Sequence, residues 1–267
     1  MLEILRQRRW LGFTAFIVVM IVLCVILARW QWDRYQVRLA ENDRLDAALS
    51  AAPVDVDELL DAQPAGAAST SLPPELEWAT VTATGTFDAE GERAVRRRPL
   101  DGRNGFWIVT PLVTESGVLL VNRGWTPAGS EAGDTTVAPQ VPAPPAGEVT
   151  IVGRLRTAEI TEPTEAPPPG QAWATDPEVL VLPPATPRYN AYSERRSSTP
   201  AADAELTLLA DPGPRGLNNL VYSVQWLLFG LVGIIGWWRL LRVESKREDE
   251  DTELIDPGVL ATGDPSA

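Results

Sequence analysis

Two apolar stretches near opposite ends of the chain constrain its fold more than any other feature. Trp10–Ala28 lies between Arg9 and Arg29, and Leu220–Trp238 stops at Arg239. Each holds about 19 residues, which at about 1.5 Å of helical rise per residue crosses a hydrocarbon core of roughly 30 Å. The first is longer than the apolar core of a secretory signal, and Ile26-Leu27-Ala28 has no small-x-small cleavage pattern. Leu23 is too bulky for a lipoprotein box before Cys24, so the stretch reads as a retained anchor. Arg6, Arg8 and Arg9 precede the first span, and Arg239, Arg242, Lys246 and Arg247 follow the second. Long loops translocate largely regardless of charge, which places both termini in the cytoplasm and the middle outside.

The net charge of −13 is unevenly spread. Glu41–Glu77 and Glu244–Ala267 together carry more than all of it, so the rest of the chain is near neutral. The acidity describes a linker and a tail, and nucleic-acid binding has no electrostatic footprint. A single lysine amid abundant Ala, Arg and Pro points to a GC-rich bacterial genome. There is one cysteine, Cys24, and no histidine. An internal disulfide, a zinc site of the usual Cys/His kinds and a Ser–His–Asp triad are thereby excluded from the middle, which leaves an enzyme little to work with.

Between the spans the pattern is β-rich. Residues 29–50 lack Gly and Pro and extend the first helix outward, and the Ala/Pro/Asp-rich 51–76 reads as a flexible linker. Strands are expected at Glu77–Phe87, Glu92–Arg98, Gly105–Val113, Val118–Trp125 and Glu148–Arg156, with a shorter piece at Glu205–Leu209. Asp88–Gly91 and Thr114–Gly117 are the expected turns, while Thr126–Gly147 and Glu159–Gly170 are irregular. The expected layout is residues 1–9 in the cytoplasm, 10–28 as the first span, 29–50 as its extension and 51–76 as linker. An outer domain over 77–216, a second span over 217–238 and a cytoplasmic acidic tail over 239–267, read as disordered after Arg247, complete it. The fold class is membrane α+β: two end helices enclosing an antiparallel open sheet or partial barrel.

Three separated segments resemble one family. Leu27-Ala28-Arg29-Trp30-Gln31-Trp32-Asp33-Arg34 is similar to a Leu-Gly-x-Trp-Gln-x-x-Arg block closing a first membrane helix. Thr110-Pro111-Leu112 with Val121-Asn122-Arg123-Gly124-Trp125 resembles a Thr-Pro-Leu…Val-Asn-Arg-Gly-Trp block, and Asn218–Trp226 resembles the block opening a second helix. Order, spacing and layout are similar to the Surfeit locus protein family, assembly factors of haem–copper cytochrome oxidase. The resemblance implies a non-enzymatic factor of the bacterial cell membrane that helps haem a reach, or stabilises, the oxidase catalytic subunit. Its implied partners are that subunit, other oxidase assembly factors and membrane lipid, with haem a bound at most transiently. The family's third block carries a histidine where this chain has Asn219, and asparagine is not a competent haem ligand. Shielding of haem, or pure scaffolding, is what the resemblance implies here.

The candidate contact residues each have a bland counterpart. Arg123 grips a carboxylate or propionate, or it ties a turn to the sheet. Gln31 and Arg34 share a helix face just outside the membrane and touch a partner, or Arg34 snorkels beside Trp30 and Trp32. Asn219, Tyr222, Gln225 and Trp226 form a polar entrance to the second span that serves a partner or packs the two helices. Met20 and Cys24, four residues apart, are read as packing residues rather than soft metal ligands. Arg93, Arg96, Arg97 and Arg98 form a charged edge strand or dock an acidic surface.

Overall fold

The structure, a computed structural model, describes residues 6–64, 71–129, 136–160, 165–181, 186–201 and 205–255, with backbone only for 249–255. In chain order its elements are α1 (Arg8–Ser50), β1 (Val54–Asp55), α2 (Val56–Leu59), β2 (Thr80–Phe87), β3 (Arg93–Val95) and β4 (Gly105–Val113). There follow β5 (Val118–Pro127), β6 (Glu148–Thr157), β7 (Gln171–Ala172), α3 (Pro177–Leu180), β8 (Arg188–Thr199) and α4 (Leu217–Ile255). They divide into a helical unit, Met1–Asp43 with Pro214–Ala267, and a β unit, Arg44–Gly213.

In the helical unit α1 runs uninterrupted for 43 residues, because nothing from Arg29 to Ser50 breaks the backbone ladder and Pro53 lies beyond. α1 and α4 are both long and apolar enough to cross a membrane. Outward-facing Phe16, Val18 and Ile26 on α1, and Leu227, Val232 and Ile235 on α4, are exposed along their apolar runs. The acidic tail departs from the expectation of disorder. α4 continues through it to Ile255, since residues 239–255 contain no Gly or Pro and carry strong helix formers. Residues 256–267 lie outside the described part.

The β unit is a closed five-stranded barrel in which β2 pairs β4, β4 pairs β5, β5 pairs β8, β8 pairs β6 and β6 returns to β2. Four pairings are antiparallel and β5–β8 is parallel. That corrects the expected antiparallel sheet, and the reason is geometric: five strands in a ring cannot alternate direction all the way round. The order is that of the OB-type Greek-key barrel. Its interior is filled by Val81, Leu112, Leu119, Val121, Ile151 and Leu155. β1 and β3–β7 extend the sheet beyond the ring.

Three local expectations change. The stretch read as a flexible linker packs onto the barrel: β1 lies parallel to β2, and Val56 and Leu72 are buried in the core, while 65–70 lie outside the described residues. The strand expected at Glu92–Arg98 ends at Val95 and pairs with β4 and β7 rather than with β2. β8 carries no expectation at all, because Arg188, Glu194 and Arg195 look like solvated residues yet are buried in partnered positions. At Glu205–Leu209 only a single bridge forms, between Trp125 and Thr207.

Candidate functional site

The two helices of the helical unit run antiparallel along a seven-residue repeat. On α1 the buried or half-buried positions include Trp10, Ile17, Cys24, Gln31 and Arg38, interleaved with Thr14, Ile21, Ala28, Tyr35 and Asn42. On α4 they include Ser223, Gly230, Trp237 and Glu244, with Asn219, Trp226 and Gly233, while Leu241 packs against Trp10. Such a repeat keeps one seam facing the partner helix when the pair supercoils with a left hand. Polar ties cross it. Ser223 Oγ donates to the Ala28 carbonyl at 2.9 Å, Trp237 Nε1 donates to Thr14 Oγ1 at 3.1 Å, and Asn42 exchanges hydrogen bonds with the Arg215 backbone.

This seam sorts the expected contact residues. Gln31, Asn219 and Trp226 lie on it, half-buried, with Trp226 edge-on to Phe229 at 5.7 Å between centroids. Arg34, Tyr222 and Gln225 lie off it and are exposed, and the Arg34 guanidinium stands 6.0 Å from the centre of the Trp30 ring. Met20 and Cys24 part company too: Met20 is 42 % exposed, whereas Cys24 is 5 % exposed and faces Gly230. Ser223, like Thr14 and Tyr35, is a seam residue that sequence reading missed. Serine in an apolar run is its only signal, and that signal does not say which face it occupies.

Arg123 sits in the barrel unit on β5, 1 % exposed. Its guanidinium pairs with the Glu92 carboxylate and donates to the Pro142 carbonyl at 3.0 Å. Thr110 on β4 donates to the same Glu92 carboxylate at 2.7 Å, and Arg195 on β8 donates to the Arg123 carbonyl at 2.6 Å. The Thr-Pro-Leu and Val-Asn-Arg-Gly-Trp segments therefore converge on one acid outside both. Beside it, Asn122 Oδ1 accepts from Gly124 N–H, and the Trp125 indole donates to the Arg98 carbonyl at 2.7 Å. Gly124 holds φ +148°, and a Cβ there would stand 2.9 Å from both Leu206 Cβ and the Thr207 carbonyl oxygen. A buried, partnered guanidinium in this setting ties β5 to neighbouring segments, because leaving it unpaired would strand a charge in low dielectric.

A second buried network crosses β6 and β8. Arg156 bridges Glu77 at 2.7 Å and Glu194 at 2.9 Å and stacks on Trp78 with its guanidinium carbon 3.7 Å from the ring centre. Burial raises the Glu194 carboxyl above its ordinary range, with Arg156 opposing that rise. The Tyr189 hydroxyl is pushed up to about 12 by burial and by the hydrogen bond it donates to Asp57. Arg156 and Glu194 thus tie β6 to β8, and Tyr189 ties β8 to α2. Among the described residues no cluster of three or more His, Cys, Asp or Glu side chains is arranged to hold a metal ion.

The chain matches the SURF1 family model over residues 18–231. It is also similar to uncharacterized SURF1-like proteins of Mycobacterium bovis and of two Mycobacterium tuberculosis strains. Each is 26 % identical over 260 residues, covering 93 % of this chain and 90 % of the relative.

Proposed function

We propose, because the chain belongs to the SURF1 family of assembly factors linked in general to cytochrome oxidase, that it assists assembly of an aa3-type haem–copper oxidase. In this reading it is a non-enzymatic membrane protein that helps deliver haem a to the catalytic subunit or stabilises that subunit. The observation that carries the reading is the zipped helix pair, whose seam turns polar at Gln31, Tyr35, Asn219 and Ser223. Polar side chains within membrane helices mark packing or partner contact, and here the exposed Arg34, Tyr222 and Gln225 flank the packed ones. The charge flanks support placement in the bacterial plasma membrane, with termini in the cytoplasm and the barrel outside.

An axially ligated haem does not fit these residues. The sequence has no histidine, Cys24 is buried inside the seam, and Asn219 stands where the resembled block has histidine. The working contacts in the reading are made by the exposed outer-end side chains, either with the porphyrin periphery or with the oxidase subunit itself. An optical spectrum of detergent-purified protein from oxidase-proficient cells, with co-purifying proteins identified, separates the two. Haem a that co-purifies and is lost in Arg34→Ala/Tyr222→Phe supports porphyrin contact. A haem-free protein that still holds an oxidase subunit supports the scaffold. Deletion of the protein without any loss of assembled oxidase refutes both.

A further inference from the structure

The two connections that flank the ring in an OB-type barrel come together here and carry a basic surface that the oxidase reading does not use. β3 lies in the connection between β2 and β4, and β7 lies in the connection between β6 and β8. They pair in parallel, Ala94 with Gln171 and Val95 with Ala172, and Arg96 N–H extends the ladder to the Ala172 carbonyl at 3.0 Å. In OB-type barrels these two connections, with the adjoining strands, form the ligand-binding face.

Trp173 follows β7 directly. Its indole donates to the Glu165 carbonyl at 2.9 Å, which holds the ring in place. Two guanidiniums stack against that one ring, Arg96 at 4.8 Å and Arg97 at 5.3 Å from its centre. Next to them Arg98 covers Trp107 at 4.1 Å and is neutralised by Glu159. Arg97 is exposed, holds a left-handed backbone at φ +56°, and has no carboxylate partner among the described residues. Residues 93–103 contain five arginines against one acid, Asp101, in a chain of net charge −13. Arg97 therefore presents an exposed guanidinium beside Trp173 in an otherwise acidic chain.

We propose that Arg96, Arg97 and Trp173 form a docking site for an acidic, carboxylate-bearing peptide segment of a protein partner. Planar guanidiniums lying on an indole point their N–H edges outward, the geometry that takes a carboxylate with two parallel hydrogen bonds. A nucleic acid or sugar would need a bare aromatic face to stack on. Here arginines lie over Trp173 and Trp107, so the surface offers donors rather than rings.

The test uses the full chain in phosphatidylcholine nanodiscs and fluorescein-labelled hexaglutamate, read by fluorescence anisotropy at low ionic strength. Wild-type protein binds, and Arg96→Gln/Arg97→Gln weakens binding roughly tenfold or more while Arg215→Gln leaves it unchanged. Arg97→Lys retains the charge but loses the planar fork, and binds several-fold more weakly than wild type. An unchanged thermal transition in Arg97→Lys and Arg97→Gln excludes unfolding as the cause. Absence of wild-type binding, or equal binding by the double variant, overturns the proposal. Tighter capture of an oligothymidylate, or loss of hexaglutamate binding on adding phosphatidylglycerol to the discs through these same arginines, overturns the acidic peptide as occupant. Oxidase assembly is read separately, so failure here leaves the assembly reading standing.

Discussion

Replacing Glu92 with leucine strips the carboxylate from Arg123, which is 1 % exposed and cannot turn to water. Removing one member of a buried ion pair costs up to about 3–5 kcal/mol. Glu92 is itself 19 % exposed, so some water reaches the site, and the Pro142 carbonyl keeps one guanidinium hydrogen bond. An expected loss of about 2–3 kcal/mol follows. For a β unit of this size each kcal/mol moves the midpoint by about 2–4 °C, so the transition should fall by roughly 5–10 °C. The double variant Glu92→Leu/Arg123→Met removes both members of the pair and should recover about 1–2 kcal/mol relative to additivity. Thermal unfolding of the detergent-purified full chain, followed by circular dichroism, measures the cycle. A Glu92→Leu transition within about 1 °C of wild type, or a double variant whose loss equals the two single losses added, refutes a structural Arg123.

Gly124→Ala forces a Cβ into the Leu206–Thr207 segment from an unfavourable backbone, and should cost more than about 1 kcal/mol in the same assay. Gly230→Leu wedges the seam opposite Cys24, so the single cysteine should alkylate faster with maleimide than in wild type; an unchanged rate contradicts the packing. Tyr189 has a folded pKa of about 12 against 10 when unperturbed, so its contribution is complete below pH 10 and lost as pH rises through 12. The loss is up to about 2 kcal/mol, and Tyr189→Phe should flatten that alkaline decline in unfolding curves. The same decline in Tyr189→Phe would show that another group is responsible.

The two helices, the β4–β5 hairpin across Thr114–Gly117 and the strand at Glu148–Thr157 are legible in the sequence because each is a local pattern. A long apolar run, a residue stretch without breakers, and a turn between β-branched segments need no distant partner. β8 is different. Its Arg188, Glu194 and Arg195 are indistinguishable by type from surface residues, and partners from distant segments, among them the Pro177 carbonyl, Glu178, Arg156 and the Arg123 carbonyl, make their burial tolerable. The linker was misleading for the same reason, since Val56 and Leu72 find their core only once the barrel exists.

Of the candidate site, the sequence by itself determined which residues stand where the two apolar runs meet the segment between them, and that no histidine is among them. It could not say which of them face the partner helix. Apolar side chains surround α1 on every side of its apolar run, so no amphipathic contrast marks the seam, as expected of a helix long and apolar enough to cross a membrane. Tertiary packing decided that Gln31, Asn219 and Trp226 lie in the seam while Arg34, Tyr222 and Gln225 stay out. It also decided that Arg123 is buried against Glu92, and that Arg96 and Arg97 meet Trp173 across 75 intervening residues or more of chain, on the order of what only long-range strand pairing through β3 and β7 can bring together.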